Sequence, residues 1–194
     1  NISEEVYYSN MIFDKIYSNK ASNMWFKSNQ NHVKEYVDVG SLMSDFVFQA
    51  SLTRSNIIRE KLGLKKESIL LTFFDSVVGF RGTFTYSDQI NFLQTIYKIL
   101  NRYDKITVVF KTKNKPRIRS YPEQGRNAIY ILEKLKNHKN FIYGNDRIFS
   151  SYDLMGVSDL VISAPGSSVL YESIIGGKKT ISYDPSSRYK EDYI

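Results

Sequence analysis

From Ser68 onward the chain alternates short apolar runs with amphipathic stretches, and this alternation constrains the fold more than any other feature. Each run is four to six residues long and rich in β-branched or aromatic side chains, as strands buried on both faces require. A helical repeat between successive runs supplies the crossover that parallel strands need. Five strands are predicted, at residues 69–74, 106–110, 140–143, 160–163 and 179–183. Ser87 is read as the cap of a helix that buries Ile90, Leu93, Ile96, Tyr97 and Leu100, leaving Asp88, Gln94 and Lys98 to solvent. Ile129, Leu132 and Leu135 mark a second helix, ending in the basic cluster at 134–139. A third opens at Gly166-Ser-Ser168 and stops at Gly176-Gly177. The expected fold class is α/β: a doubly wound, mainly parallel Rossmann-like sheet with helices on both faces.

The first 67 residues read differently, with many aromatics, weak periodicity, a strand at 35–40 and a helix at 53–62. Residues 1–50 are expected to be the remnant of a preceding domain with its linker, and 51–194 the Rossmann-like domain. Two long loops, 75–86 and the Lys- and Arg-rich 111–126, are of a length that in a compact domain is usually functional or disordered. The chain starts at Asn1 without a signal-peptide pattern, and no apolar window is long enough to span a bilayer. Lacking an initiator Met, it is expected to be a fragment, with part of the active site in the missing sequence.

Composition acts mainly by exclusion. With no Cys there is neither disulfide framework nor thiolate metal site, and His32 and His138 are too few for most zinc centres. A net charge of +7 favours an anionic partner, be it nucleic acid, lipid or a phosphorylated ligand, without choosing among them. No Gly-x-Gly-x-x-Gly follows the first strand and no P-loop exists, which disfavours dehydrogenases and NTPases. No Ser-His-Asp set is visible either.

The strongest local feature is Ser158-Asp-Leu-Val-Ile-Ser-Ala-Pro-Gly-Ser-Ser-Val-Leu-Tyr-Glu-Ser173, a strand turning through Pro165 and Gly166 into a helix opened by Ser167 and Ser168. A helix N-terminus exposes unpaired N–H groups and the positive end of the dipole, so it can hold a phosphate. Gly166 allows close approach and the serines add hydroxyls. Either serine alone is more simply a cap. Glu172 lies one turn beyond Ser168 on the same face, where a carboxylate can accept both hydroxyls of a ribose; its plainer role is to favour the helix dipole.

This segment, followed by Gly177-Lys-Lys-Thr-Ile-Ser-Tyr-Asp184, resembles the C-terminal, donor-binding domain of GT-B glycosyltransferases, of the surface-carbohydrate and capsule polysaccharide type. A related pattern occurs in UDP-sugar 2-epimerases and in polyol-phosphate polymerases. The resemblance implies transfer of a sugar from a nucleotide-sugar to a cell-surface polysaccharide or lipopolysaccharide acceptor. It assigns the donor diphosphate to Pro165, Gly166, Ser167 and Ser168 and the ribose to Glu172. It implies no cofactor beyond the nucleotide-linked substrate and no metal. The acceptor would be a glycan or glycolipid, and the enzyme cytoplasmic, with peripheral association at the inner face of the membrane. The catalytic base would belong to the other domain.

Topology points to the same place. In a doubly wound sheet ligands bind at the carboxyl ends of the strands where strand order reverses, here between the first and fourth strands. The loop 75–82, with Ser76 and Arg81, should therefore face 164–168, and Arg81 could chelate phosphate unless it is merely a solvated loop arginine. Lys111 and Lys113, at the end of the second strand, are candidates for phosphate or the leaving group, against the plainer reading of solvated charge. After the third strand, where related enzymes hold the base, Ile148 and Phe149 are candidates that could equally be packing residues. A basic nucleic-acid-binding module is the rival of a different class; it rests on the basic loop and the aromatics, predicts a steep salt dependence, and is the less favoured reading.

Overall fold

The computed structural model describes residues 12–18, 32–40, 42–78, 84–113, 122–144 and 149–187. The chain divides into two units, 1–45 and 46–194. In the first, β1 (Ile12–Ser18) pairs in parallel with β2 (His32–Asp38). β2 begins three residues before the predicted strand at 35–40, and β1 has no counterpart among the predictions. Its pairing includes exposed ion pairs rather than apolar contacts alone: Lys15 Nζ lies 2.6 Å from Glu35 and Lys34 Nζ 2.6 Å from Asp14. Such a strand lacks the apolar alternation by which strands are recognised.

Three helical segments follow: α1 (Leu42–Gln49), a π-helical turn (Ala50–Arg54) and α2 (Ser55–Lys61). The predicted helix at 53–62 covers only the last part of this stretch. The remaining elements are β3 (Ile69–Phe74), α3 (Tyr86–Arg102), β4 (Ile106–Lys111), α4 (Pro122–Lys136), β5 (Phe141–Tyr143), α5 (Ser151–Val157), β6 (Leu160–Ser163), α6 (Ser168–Ile175) and β7 (Thr180–Ser182). All five strands of the second unit form where the apolar runs place them, to within a residue. They make one parallel sheet in the order β5-β4-β3-β6-β7. The order reverses between β3 and β6, so the switch point falls where the sequence puts it.

The period of two along β3 divides the core. Leu71 and Phe73 belong to one cluster with Phe92, Leu93, Ile96 and Leu100 of α3 and Leu132 and Leu135 of α4. Leu70 and Phe74 belong to the other, with Val47, Ile58 and Leu62 from the first helices and Leu154, Met155 and Val157 of α5. Alternate side chains of a strand point to opposite faces, so helices cover the sheet on both sides. Phe92 anchors its cluster by meeting Phe73 edge-on at 5.4 Å and Phe84 at 5.9 Å. This is the doubly wound, Rossmann-like α/β architecture that the alternation implies.

Several local expectations are corrected. The cap of α3 is Thr85, not Ser87: its hydroxyl accepts from the Asp88 N–H while Asp88 Oδ2 accepts from the Thr85 N–H at 2.7 Å, a reciprocal capping box. Asp88 is therefore buried rather than left to solvent, and Tyr97, expected inside, is 44% exposed. The loop predicted at 111–126 is shorter, because Pro122 to Arg126 form the first turns of α4. Pro suits that first position because its missing N–H would be unpaired there anyway. Thr85→Ala removes one half of the box and leaves a buried carboxylate short of a donor. It should cost about 1–2 kcal/mol in urea denaturation.

Candidate functional site

The carboxyl ends of β3, β4 and β6 converge with the N-termini of α5 and α6 around a cavity of about 430 Å³. β3 and β6 are held together up to its rim, since the Ala164 N–H donates to Phe74 O at 3.0 Å just where both strands end. Beyond Ala164 the chain turns sharply. Pro165 is buried and Gly166 adopts φ +67, a left-handed conformation that glycine enters without strain. This turn delivers Ser167 as the cap of α6, its Oγ accepting from the Val169 N–H at 3.3 Å. Ser168 is the first helical residue, and Glu172 follows one turn later. Ser167, Ser168, Val169 and Glu172 together form one wall of the cavity.

The opposite wall comes from the exits of β3 and β4. Asp75 is buried, with Oδ1 accepting from the Lys113 N–H at 2.7 Å and Oδ2 from Gln89 Nε2 at 3.0 Å. Burial pushes its carboxyl up from 3.8 to about 7, against the opposing pull of the Lys113 backbone bond, the Gln89 amide and the Lys113 charge. Lys111 donates from Nζ to Phe149 O at 2.8 Å. Its ammonium is pushed below the usual lysine range by burial, with the Asp153 carboxylate working the other way. Thr112 and Lys113 complete this side. From α5, Ser151 and Tyr152 close the third side. The phenol of Tyr152 is raised by burial and, next, by the Glu172 carboxylate.

Of the residues singled out in the sequence, Lys111, Ser167, Ser168 and Glu172 meet at this cavity, with Lys113 beside them. Pro165 and Gly166 shape the turn behind the wall without lining it. Ser76 lies half-buried next to Asp75. Phe149 packs against the cluster of Leu70 and Phe74 and supplies the carbonyl that holds Lys111. Arg81 and Ile148 lie outside the described residues. Asp75 and Tyr152 were not singled out. For Tyr152 a signal existed: Ser150-x-x-Asp153 is a capping box, its reciprocal bonds present at the start of α5, and it announces a helix that is not among the three predicted.

Chemically, the arrangement suits a phosphorylated ligand. Two ammonium groups and the positive end of α6 face one space, while Glu172 and Asp75 supply acceptors for hydroxyls. Among the described residues, no group of three or more His, Asp or Glu could hold a metal ion, and no helix is long and apolar enough to cross a membrane.

A family model described as "Polysaccharide biosynthesis PFTS motif protein" matches residues 5–194. Among solved structures, the chain is similar to the wall teichoic acid polymerase TagF. One variant form gives a TM-score of 0.60 at 16% identity, covering 94% of this chain and 42% of that one. Another, soaked with CDPG, gives 0.59 at 16% identity, covering 94% and 40%. A glycosyltransferase from Rickettsia africae ESF-5 gives 0.49 at 18% identity, covering 94% and 48%. At these identities the likeness to TagF is one of fold, and the chain spans about 40% of that polymerase's length. No curated protein matches the sequence.

Proposed function

The chain belongs to the polysaccharide biosynthesis PFTS motif family, and from that premise we propose that it is the donor-binding half of a glycosyltransferase. The observation that carries this reading is the cavity at the sheet's switch point, where the start of α6, Ser168, Glu172 and Lys111 share one space. In this reading the donor diphosphate lies against the N-terminus of α6 and Ser168, and Glu172 accepts the ribose hydroxyls. Lys111 gives one hydrogen to Phe149 O and keeps two for a phosphate oxygen. As the glycosidic bond breaks, negative charge grows on the departing diphosphate, and these preorganised donors stabilise it. No cofactor is invoked beyond the nucleotide-linked substrate.

The acceptor in this reading is a glycan or glycolipid of a surface polysaccharide, reached at the inner face of the membrane. The catalytic base comes from a second domain. The fold it shares with TagF favours a second reading, transfer of a polyol phosphate from a CDP-linked donor, which would use the same diphosphate contacts.

Calorimetry with UDP, CDP, CMP and GDP tests the site. The diphosphates should bind more tightly than CMP. Ser168→Ala and Glu172→Ala should each weaken them by about tenfold, the value of one hydrogen bond to a charged or hydroxyl group. Lys111→Met should weaken them further. Absence of binding, or binding indifferent to these substitutions, defeats the donor-site reading, and preference for CDP over UDP favours the polyol-phosphate variant. If oligonucleotide binds instead, with a steep salt dependence, the basic-module reading replaces both.

A further inference from the structure

Asp75 is the most deeply buried ionisable group of the cavity wall, and a negative charge there stands beside the place where a diphosphate would sit. Its surroundings are unusually even-handed about its charge. Oδ1 is committed to the Lys113 N–H, a bond that favours the carboxylate and that the carbonyl oxygen of a carboxylic acid also keeps. Oδ2 meets Gln89 Nε2, the end of a fully buried side chain amide whose Oε1 finds no partner among the described residues. An amide can present either end. With Asp75 ionised, Nε2 donates to Oδ2; with Asp75 protonated, a half-turn of the amide lets Oδ2–H donate to Oε1. One hydrogen bond is kept in either state, so the protein tolerates both.

Every element packed around the cavity adds charge. The exit of β4 brings Lys111 and Lys113. α3 brings neutral Gln89, together with Asp88, whose carboxylate is engaged by Thr85. α5 brings Tyr152 and Asp153, the latter acting on Lys111. α6 brings Glu172. The Lys113 charge favours an anionic Asp75 when the cavity is empty. An entering diphosphate takes over that ammonium group and repels the carboxylate, and both effects drive Asp75 to the acid form.

We propose that Asp75 couples ligand binding in this cavity to protonation: it takes up a proton from solvent as the phosphorylated ligand enters and holds it on Oδ2, from which it donates a hydrogen bond to Gln89 Oε1. The inference rests on the donor-site reading. It deepens that reading by making the binding of a phosphorylated ligand at this site dependent on pH near neutrality. A carboxyl that titrates at about 7 is half-charged near neutrality, so the uptake needs little driving force there.

The test is calorimetry with UDP-glucose and CDP-glycerol, whose diphosphate diesters do not titrate near neutrality, at pH 6 and pH 8. Wild type should bind the better probe about tenfold more tightly at pH 6, the scale set by one linked proton, while Asp75→Asn should bind equally at both. To keep the test independent of the substitution, the Asp75 carboxyl carbon is also followed by NMR in the wild-type chain, where its midpoint should lie near 7 and rise when the probe saturates. Binding that is independent of pH in wild type, or a midpoint that stays near that of an ordinary aspartate, overturns the proposal and leaves the donor site standing. Failure of both probes to bind at any pH overturns the proposal and the donor-site reading together.

Discussion

Gly156→Val should cost about 3 kcal/mol of stability or more, the upper end of what overpacking does in a filled core. Gly156 lies in α5, where a Cβ would meet Ala50 Cβ at 2.6 Å, Val47 O at 2.7 Å and the Ser51 N at 2.9 Å. Two of these obstacles are backbone atoms, which cannot turn aside as a flexible side chain can. Relief requires α5 to move away from the π-helical turn that follows α1. That movement would also disturb the Arg54–Asp153 ion pair, 2.8 Å long, and the Lys178 Nζ bond to Gly156 O. Gly176→Ala is the informative comparison. Its Cβ would meet Val47 Cβ and Cγ1, both at 2.8 Å, so shortening Val47 to Ala should recover part of the loss. The same shortening should do nothing for Gly156→Val. Urea denaturation of the four variants checks this. A Gly156→Val chain as stable as wild type would mean that α5 and the first helices do not pack as described. Because α5 also carries Ser151 and Tyr152 to the cavity, nucleotide binding should weaken alongside stability.

That close contact shows where sequence reading stops. The apolar runs that became β3, β4, β5, β6 and β7 were legible because a strand buried on both faces has no freedom to be polar, and the reversal between the first and the fourth of them was expected of a doubly wound sheet. Ser167, Ser168 and Glu172 were legible because a turn, a cap and one helical turn are local geometry. Asp75 was not. Its environment is made by Gln89, fourteen positions along, and by the Lys113 backbone, thirty-eight along, and no local pattern announces either. Tyr152 was hidden for a different reason. Its helix is seven residues long, too short for a periodic signal, and held by tertiary packing, with only its capping box to mark it. β1 failed for a third reason, the charged residues along its length that pair across to β2.

Asp75→Asn should raise stability at pH 8 by about 2–4 kcal/mol, and by much less at pH 5. In the folded chain the carboxyl holds its proton up to about 7, whereas unfolded it lets go near 3.8. Between those values the folded state binds more proton than the unfolded state, so stability falls as pH rises through the window. Above it the full difference applies, on the order of 4 kcal/mol, because each pKa unit is worth 1.36 kcal/mol. Asparagine escapes this cost without losing its partners. Its Oδ1 keeps the Lys113 N–H, and its Nδ2 can donate to Gln89 Oε1 once that amide turns. Thermal or urea denaturation of wild type and variant at both pH values measures the difference. A variant less stable than wild type at pH 8, or a gap that does not change with pH, would show that Asp75 is held as an ordinary carboxylate. A group that costs its own fold this much at neutral pH, in the wall of a cavity, is what a site looks like when function opposes stability. Replacing it should therefore strengthen the fold while removing the pH dependence of donor binding, and those two measurements share no assay.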